Sequence, residues 1–313
     1  MNESRTPWLK PWLTIGSEQD RVLIQDGERV TTLEGAAVTS GFLPDLLGVL
    51  DGTRDVAELA CATGVAEGSV QAALSVLERE ALLTRGPRPI AELAPEVRGT
   101  AYALSALTQR SPTEICSTLT ASSVVVAGDT GTARAIDAML VDAGLTSAAR
   151  VQVGEVSGLD AVDLLVVAPA ADELDTLGEI NRLALETSVA WLPIAPYNGR
   201  VISVGPLMVP GQTCCWECFR FRCVPDVDAL DAFLSPKTPV ERPMPSLLDQ
   251  LAAPIAALLA VRWLATRDAF LPGIVHLVEV VPQIAVSHAE VFRVPRCPSC
   301  SRMAGQAPPA PWS

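Results

Sequence analysis

Apolar and polar residues alternate along the first part of the chain in a way that predicts short strands, then helices. Residues 8 to 34 hold three segments of strand character, WLTI, RVLIQ and RVTTLEG. Asp26-Gly27 stands between the second and third, where glycine accepts the positive φ of a tight hairpin. Helical spacing follows, with Phe42, Leu43, Leu46, Leu47 and Leu50 ahead of the breaker Asp51-Gly52. Thr53 is placed to cap a short helix, Val56 to Ala62, which Gly64 ends. Ser69 opens a third helix that presents Val70, Ala73, Leu74 and Leu77 on one face and Glu78, Arg79 and Glu80 on the other. Three strands and three helices in this order predict a winged helix-turn-helix.

Gly86-Pro87-Arg88-Pro89 breaks the pattern, and Pro95 still precedes the next helix, which predicts a boundary near residue 95 and domains of 1–95 and 96–313. A helix over Val97 to Thr108 leads into the strand at Ser123. Gly128-Asp129-Thr130-Gly131-Thr132 comes next, then a helix from Ala133 to Asp142 closed by Gly144. A strand from Ala149 to Val153 and the continuous apolar run LLVVAP after Asp163 suit a buried parallel sheet. The back part is therefore expected to be α/β and Rossmann-like. A strand over Val189 to Ile194, a hairpin at Asn198-Gly199, a helix over Asp249 to Arg267 and two closing strands, Ile274 to Val281 and Ile284 to Val294, complete it. That helix carries Leu251, Ile255, Leu258, Leu259 and Leu264 on an apolar side expected at the core or a dimer seam. His276 and His288 fall in the closing strands and read as structural.

Composition narrows the functions. The 313 residues carry 36 acidic and 23 basic side chains, a net charge of −13, which argues against a nucleic-acid surface built on Lys and Arg. Residues 1 to 90 alone hold 13 acidic and 8 basic side chains, so a DNA-reading third helix is disfavoured. The start, MNESRTPWLKPWLTIG, has no apolar run of signal-peptide length. The most lipid-like run, Leu251 to Ala265, contains Pro254 and Arg262 and is too short to span a bilayer. A cytoplasmic protein with reduced cysteines is expected, with neither membrane nor nucleic acid as partner.

The candidate chemistry lies in two C-x-x-C units, Cys215/Cys218 and Cys297/Cys300. Together they offer the four thiolates of a closed, structural zinc site. Disulfides or unpaired core thiols are the alternatives. The 78 residues between the units mean that a shared metal would tie the end of the chain to a mid-chain loop. The strand Arg29, Val30, Thr31, Thr32, Leu33 and Glu34 would be a sheet edge able to pair with an extended peptide, whose apolar side chains would drop toward the third helix. Self-association is the plain alternative for that module.

The order of elements in the first part, with LEGAAV leading into FLPDLLGVLDGTRDVAEL and a helix ending LEREALL, resembles the PqqD-like leader-recognition elements of peptide natural-product biosynthesis. That resemblance places a leader peptide between Arg29–Glu34 and the third helix, against Val70, Ala73, Leu74 and Leu77. GPLMVPGQTCCWECF with the paired C-x-x-C units resembles the ThiF-like fold of adenylating enzymes. The whole chain is similar to the ocin-ThiF-like proteins, the leader-binding partners of YcaO cyclodehydratases in azole-peptide and thiopeptide pathways. The resemblance implies a precursor leader and a YcaO-type enzyme as partners, a homodimer, and structural zinc.

The nucleotide site of the adenylating relatives is degenerate here. Gly128 and Gly131 remain, but Asp129 puts a carboxylate where polyphosphate would lie. The strand from Arg150 ends without the acidic run, or the Arg and Lys after it, that those relatives use. Ala168-Pro169-Ala170-Ala171 stands where they carry an Asp. The expectation is a protein without ATP and without a catalytic residue; an adenylyltransferase acting on a peptide carboxylate is the alternative. Cys214 stands where those relatives often have proline. Cys223 is the only thiol in the proline-rich connection 223–245, where ubiquitin-type enzymes carry a thioester cysteine, and it reads as incidental. The final APPAPWS reads as a disordered tail.

Overall fold

A computed structural model describes residues 5–10, 12–87, 93–108, 110–145, 147–223 and 246–301. Most of the proline-rich connection and the end of the chain lie outside them. Packing divides the chain into two units, 1–117 and 118–313.

In the first unit, β2 (Thr14–Ser17), β3 (Arg21–Asp26) and β4 (Arg29–Glu34) form an antiparallel sheet in the order β2-β3-β4. The β3–β4 turn runs through Gly27 at φ +62°, as the hairpin signal requires. Val22 and Ile24 of β3 are fully buried against helices α2 (Phe42–Val49), α3 (Val56–Thr63) and α4 (Glu67–Arg79). A short α1 (Ala36–Thr39) precedes these three. The cap of α3 is Asp55, not Thr53: the Asp55 carboxylate accepts the Glu58 N–H while Glu58 reaches back to the Asp55 N–H, and Gly64 ends the helix at φ +68°.

A two-stranded ribbon escaped the periodicity. β1 (Arg5–Leu9) pairs with β5 (Leu83–Pro87). Trp8 of β1 packs on Tyr102 of α5 (Pro95–Leu107), their rings 4.4 Å apart. A further helix, α6 (Pro112–Ala121), starts with a reciprocal Ser111–Glu114 cap.

The second unit is built on a mixed seven-stranded sheet. Its parallel part runs β7 (Ser147–Val151), β6 (Ser123–Ala127), β8 (Leu164–Val167), β9 (Trp191–Ala195). Three antiparallel strands continue it: β10 (Val201–Val204), β11 (Ile274–Glu279) and β12 (Ala285–Glu290). All four residues of β8 are buried, because a parallel sheet of this kind is covered on both faces. On one face lie α7 (Gly131–Asp142) and the long helix Ala253–Thr266. On the other, α8 (Leu177–Thr187) and α9 (Trp216–Cys223) join Leu165, Val167 and Trp191 in a single apolar cluster.

The long helix breaks from the preceding turn Ser246–Gln250 just before Pro254. It enters the core through Ala253, Ala256, Ala257 and Ala260, small residues that allow close helix–sheet approach, together with Leu259 and Leu264. Leu258 is 61% exposed, so the expected leucine face points partly outward.

Candidate functional site

The two C-x-x-C units converge. The first lies at the start of α9 and the second follows β12, and all four sulfurs lie within 4.8 Å of one another. Adjacent Sγ atoms are 3.8 Å (Cys215–Cys218), 3.6 Å (Cys215–Cys297) and 3.5 Å (Cys218–Cys300) apart. A disulfide needs about 2.05 Å, so no pair is bonded, and all eight cysteines are free thiols. Four ligands at about 2.3 Å around a tetrahedral ion would be separated by about 3.8 Å along each edge. The observed spacings match that cage, so these residues can hold a metal ion.

Protein contacts assemble the cage. The Val294 N–H donates to Cys218 Sγ at 3.3 Å. Asn181 of α8, almost fully buried, accepts the Trp216 N–H at 2.9 Å and fixes the start of α9. Arg222 donates to the carbonyls of Phe292 and Arg293 at 2.7 and 3.1 Å, while Arg293 donates to the carbonyl of Thr213 at 2.6 Å. Each C-x-x-C segment thus sends an arginine to the backbone of the other. Sequence reasoning missed Asn181 and both arginines, which carry no spacing signature.

Burial first, then the neighbouring Cys218, pushes the Cys214 thiol up to about 12. Burial and Cys218 do the same to Cys300, also to about 12, and burial raises the Cys215 thiol as well. Burial acts on Cys218 as well, but N–H groups of Val294 and Cys215 and the thiols of Cys297 and Cys300 outweigh it and lower that thiol. Four thiols this close do not all ionise without a cation among them. Cys214 is buried beside the set; Cys223 is exposed at the end of α9.

The strand Arg29–Glu34 stands at a border of its sheet, with β3 on one side and no described strand on the other. Hydrogen-bond parity decides which of its main-chain groups are available. The Glu18 N–H donates to Arg21 O at 2.8 Å, which turns Arg21 toward β2 and, by alternation, Val22, Ile24 and Asp26 toward β4. Their register partners Leu33, Thr31 and Arg29 therefore bond to β3, and the N–H and C=O groups of Val30, Thr32 and Glu34 point outward. Arg29, Thr31 and Leu33 share the core side with Val22 and Ile24.

On α4, Val70, Leu74 and Leu77 have no exposed surface and fill the unit's own core, while Ala73 is half-buried. Thr31 and Leu33 of β4 and Ala73 and Val76 of α4 are half-buried. Arg29 binds the Glu80 carboxylate at 2.7 Å and its carbonyl at 3.3 Å, joining β4 to the end of α4.

The Gly128 loop follows β6. Gly128 has φ +132°, and a Cβ there would lie 2.3 Å from the Ala168 carbonyl oxygen. Thr130 Oγ1 donates to that same carbonyl at 3.1 Å and accepts the Ala133 N–H, capping α7, whose first residue is Gly131. Asp129 Oδ1 accepts from Arg134 and Arg150, both at 3.1 Å. A cavity of about 150 Å³ lies beside it, lined by Gly128, Asp129, Arg150, Val151, Gln152 and Glu155. His276 and His288 face each other across β11 and β12 with ring centres 6.4 Å apart.

No protein-family model and no curated protein sequence matches the chain. Solved structures do. The heterocyclase TruD matches with a TM-score of 0.67 and 22% identity over 95% of this chain and 43% of TruD. A heterocyclase in complex with substrate and cofactor gives 0.66 and 21% over 94% and 39%. MccB from E. coli, solved with AMPCPP and MccA, gives 0.60 and 12% over 94% and 99%. The chain spans about two fifths of the two heterocyclases and nearly all of MccB. At these identities the likeness shows the fold, which is ThiF-like. Among the described residues no single helix is long and apolar enough to cross a membrane.

Proposed function

We propose that the chain is a non-catalytic recognition protein that binds the leader of a ribosomally made precursor peptide and presents its core to a separate YcaO-type cyclodehydratase. Residues 1–95 act as a winged helix-turn-helix of the PqqD-like kind, and 96–313 as a ThiF-like scaffold with structural zinc, in a cytoplasmic homodimer. The observation that carries the reading is the outward row of main-chain groups at Val30, Thr32 and Glu34, to which an extended leader adds as a strand. The similarity to heterocyclases, one solved with its substrate, and to MccB solved with MccA supports a peptide as the partner. Holding the leader makes modification of the attached core nearly intramolecular, whatever the core sequence. Fluorescence polarisation of labelled synthetic leaders, drawn from whatever short precursor genes a search of the neighbouring genes yields, tests it. Saturable binding is expected; no binding by the full chain overturns the reading.

A second reading is adenylation of a peptide carboxylate, favoured by the near-complete overlap with MccB, which was solved with AMPCPP. Pyrophosphate exchange with ATP by the purified chain alone separates the two. Exchange supports the enzyme; its absence with leader bound supports the recognition protein.

A further inference from the structure

In an open α/β sheet the ligand crevice lies beyond the carboxyl ends of the strands, where neighbouring connections leave in opposite directions. Here that place is β6, with β7 on one side and β8 on the other. A phosphate entering it needs free N–H groups at the start of α7, room against the glycine, and uncommitted positive charge.

The first is partly taken, since the Ala133 N–H already bonds Thr130, and the other two are committed within the protein. On the β8 side, Thr130 bridges the Ala168 carbonyl to the Ala133 N–H, and Gly128 lies so close to Ala168 that its hydrogen is already opposed to the carbonyl. The glycine's freedom serves packing against β8, not the approach of a ligand. On the β7 side, the cations are Arg134 and Arg150, and both are bonded to the carboxylate of Asp129. The Arg134 guanidinium also donates to the Asp129 carbonyl at 2.7 Å, so it grips this residue twice, although the Asp129 side chain remains 58% exposed. Glu155, at the rim of the same cavity, adds a second negative charge.

We propose that Asp129 is a built-in anion: its carboxylate takes the place between Arg134 and Arg150 that a phosphate would occupy, so the crevice of this ThiF-like fold is closed to nucleotides from within. On the β7 side closure is a property of one side chain, whatever the packing of Gly128 and Thr130 against β8. Removing its charge therefore frees Arg134 and Arg150 for an anion on that side. The inference is independent of the leader reading, because Asp129 lies in the second unit and the strand edge in the first.

The test is isothermal titration of the full-length, metal-loaded chain with inorganic pyrophosphate and, separately, with ATP and magnesium. Asp129→Asn keeps the side-chain size and removes the charge. Pyrophosphate is expected to bind Asp129→Asn at least about tenfold more tightly than the parent, since each unit charge a few ångströms from the ligand contributes appreciably even in water. The double variant Asp129→Asn/Arg150→Gln is expected to lose that gain. Saturable micromolar binding of ATP by the parent overturns the proposal. So does an Asp129→Asn variant that melts like the parent yet binds no more tightly. Should that variant fail to fold, Asp129→Ser reads the same quantity. Leader affinity measured on the same preparations should not change, which separates failure here from failure of the peptide reading.

Discussion

Proline scanning of β4 puts the strand-addition reading at risk, because parity makes opposite predictions for neighbouring residues. The N–H groups of Thr31 and Leu33 are committed to the β3 ladder through Ile24 and Val22, whereas those of Val30 and Thr32 face outward. Proline at 30 or 32 removes a donor the sheet does not use, at a border where proline is tolerated. Proline at 31 or 33 removes a ladder bond beneath a packed core and costs about 3 kcal/mol or more by analogy with interior proline. One outward N–H in an added strand is worth about 0.5–1.5 kcal/mol net. Val30→Pro and Thr32→Pro should therefore each weaken leader binding about 2- to 13-fold, with more where the ring obstructs the incoming strand.

Two assays on each variant give the answer: a thermal melt for the ladder and fluorescence polarisation for the edge. The expected pattern is crossed, with positions 30 and 32 losing affinity while keeping stability, and 31 and 33 losing stability first. If Val30→Pro and Thr32→Pro both fold like the parent and bind the leader with unchanged affinity, strand addition at this border is wrong. A uniform loss of stability at all four positions would instead refute the parity assignment.

Four further outcomes are expected. Cys297→Ser should lose most of its metal by mass spectrometry and melt lower, since a site present only in the folded state adds its binding energy to stability; a full metal complement would remove Cys297 from the ligand set. Arg222→Gln with Arg293→Gln should speed metal transfer to a chelator while leaving the cobalt-substituted absorption spectrum that of four thiolates; an unchanged release rate would show that the clasp does not position the cage. Gly128→Ala meets the Ala168 carbonyl and an unfavourable φ together, and should cost about 3 kcal/mol, a fall of about 6–12 °C in melting temperature for a unit of this size; a melting temperature like the parent's would refute the close packing. His276 is held below its usual value by burial first, then by His288 and Arg262. The folded state thus binds its proton less tightly than the unfolded one, so stability is full above about pH 6.5 and falls as pH drops below it. His276→Gln should flatten the fall in melting temperature between pH 7.5 and 5.5, and equal slopes would assign the fall to other groups.

What could be read along the chain was what depends on near neighbours. The hairpin at Gly27, the end of α3 at Gly64 and the buried run of β8 follow from local backbone and burial preferences. The C-x-x-C spacing gave two halves of a metal cage for the same reason. Other elements also carry local signals: Ser111-Pro112-Thr113-Glu114 is a capping box with proline at the first helical position, and it starts α6. The apolar spacing of Leu177, Ile180 and Ala184 likewise marks α8. The pairing of β1 with β5 had no such signal, because its partners lie far apart and carry Pro7 and Gly86.

On α4 periodicity placed Val70, Leu74 and Leu77 on one apolar face, and that face is buried, but spacing does not name what covers it, and here its neighbour is the unit's own core. The same gap separates charge in a sequence from charge in a structure. Asp129 reads as a lone repulsive carboxylate until the fold sets Arg134, one turn into α7, and Arg150, on the neighbouring strand, on either side of it. A repulsive group keeps phosphate away only as strongly as salt allows. A carboxylate seated between two guanidinium groups also withholds the cations that phosphate would seek, but all three side chains are at least 38% exposed, so added salt screens these pairs as it screens the repulsion, and any barrier to phosphate here should weaken as ionic strength rises.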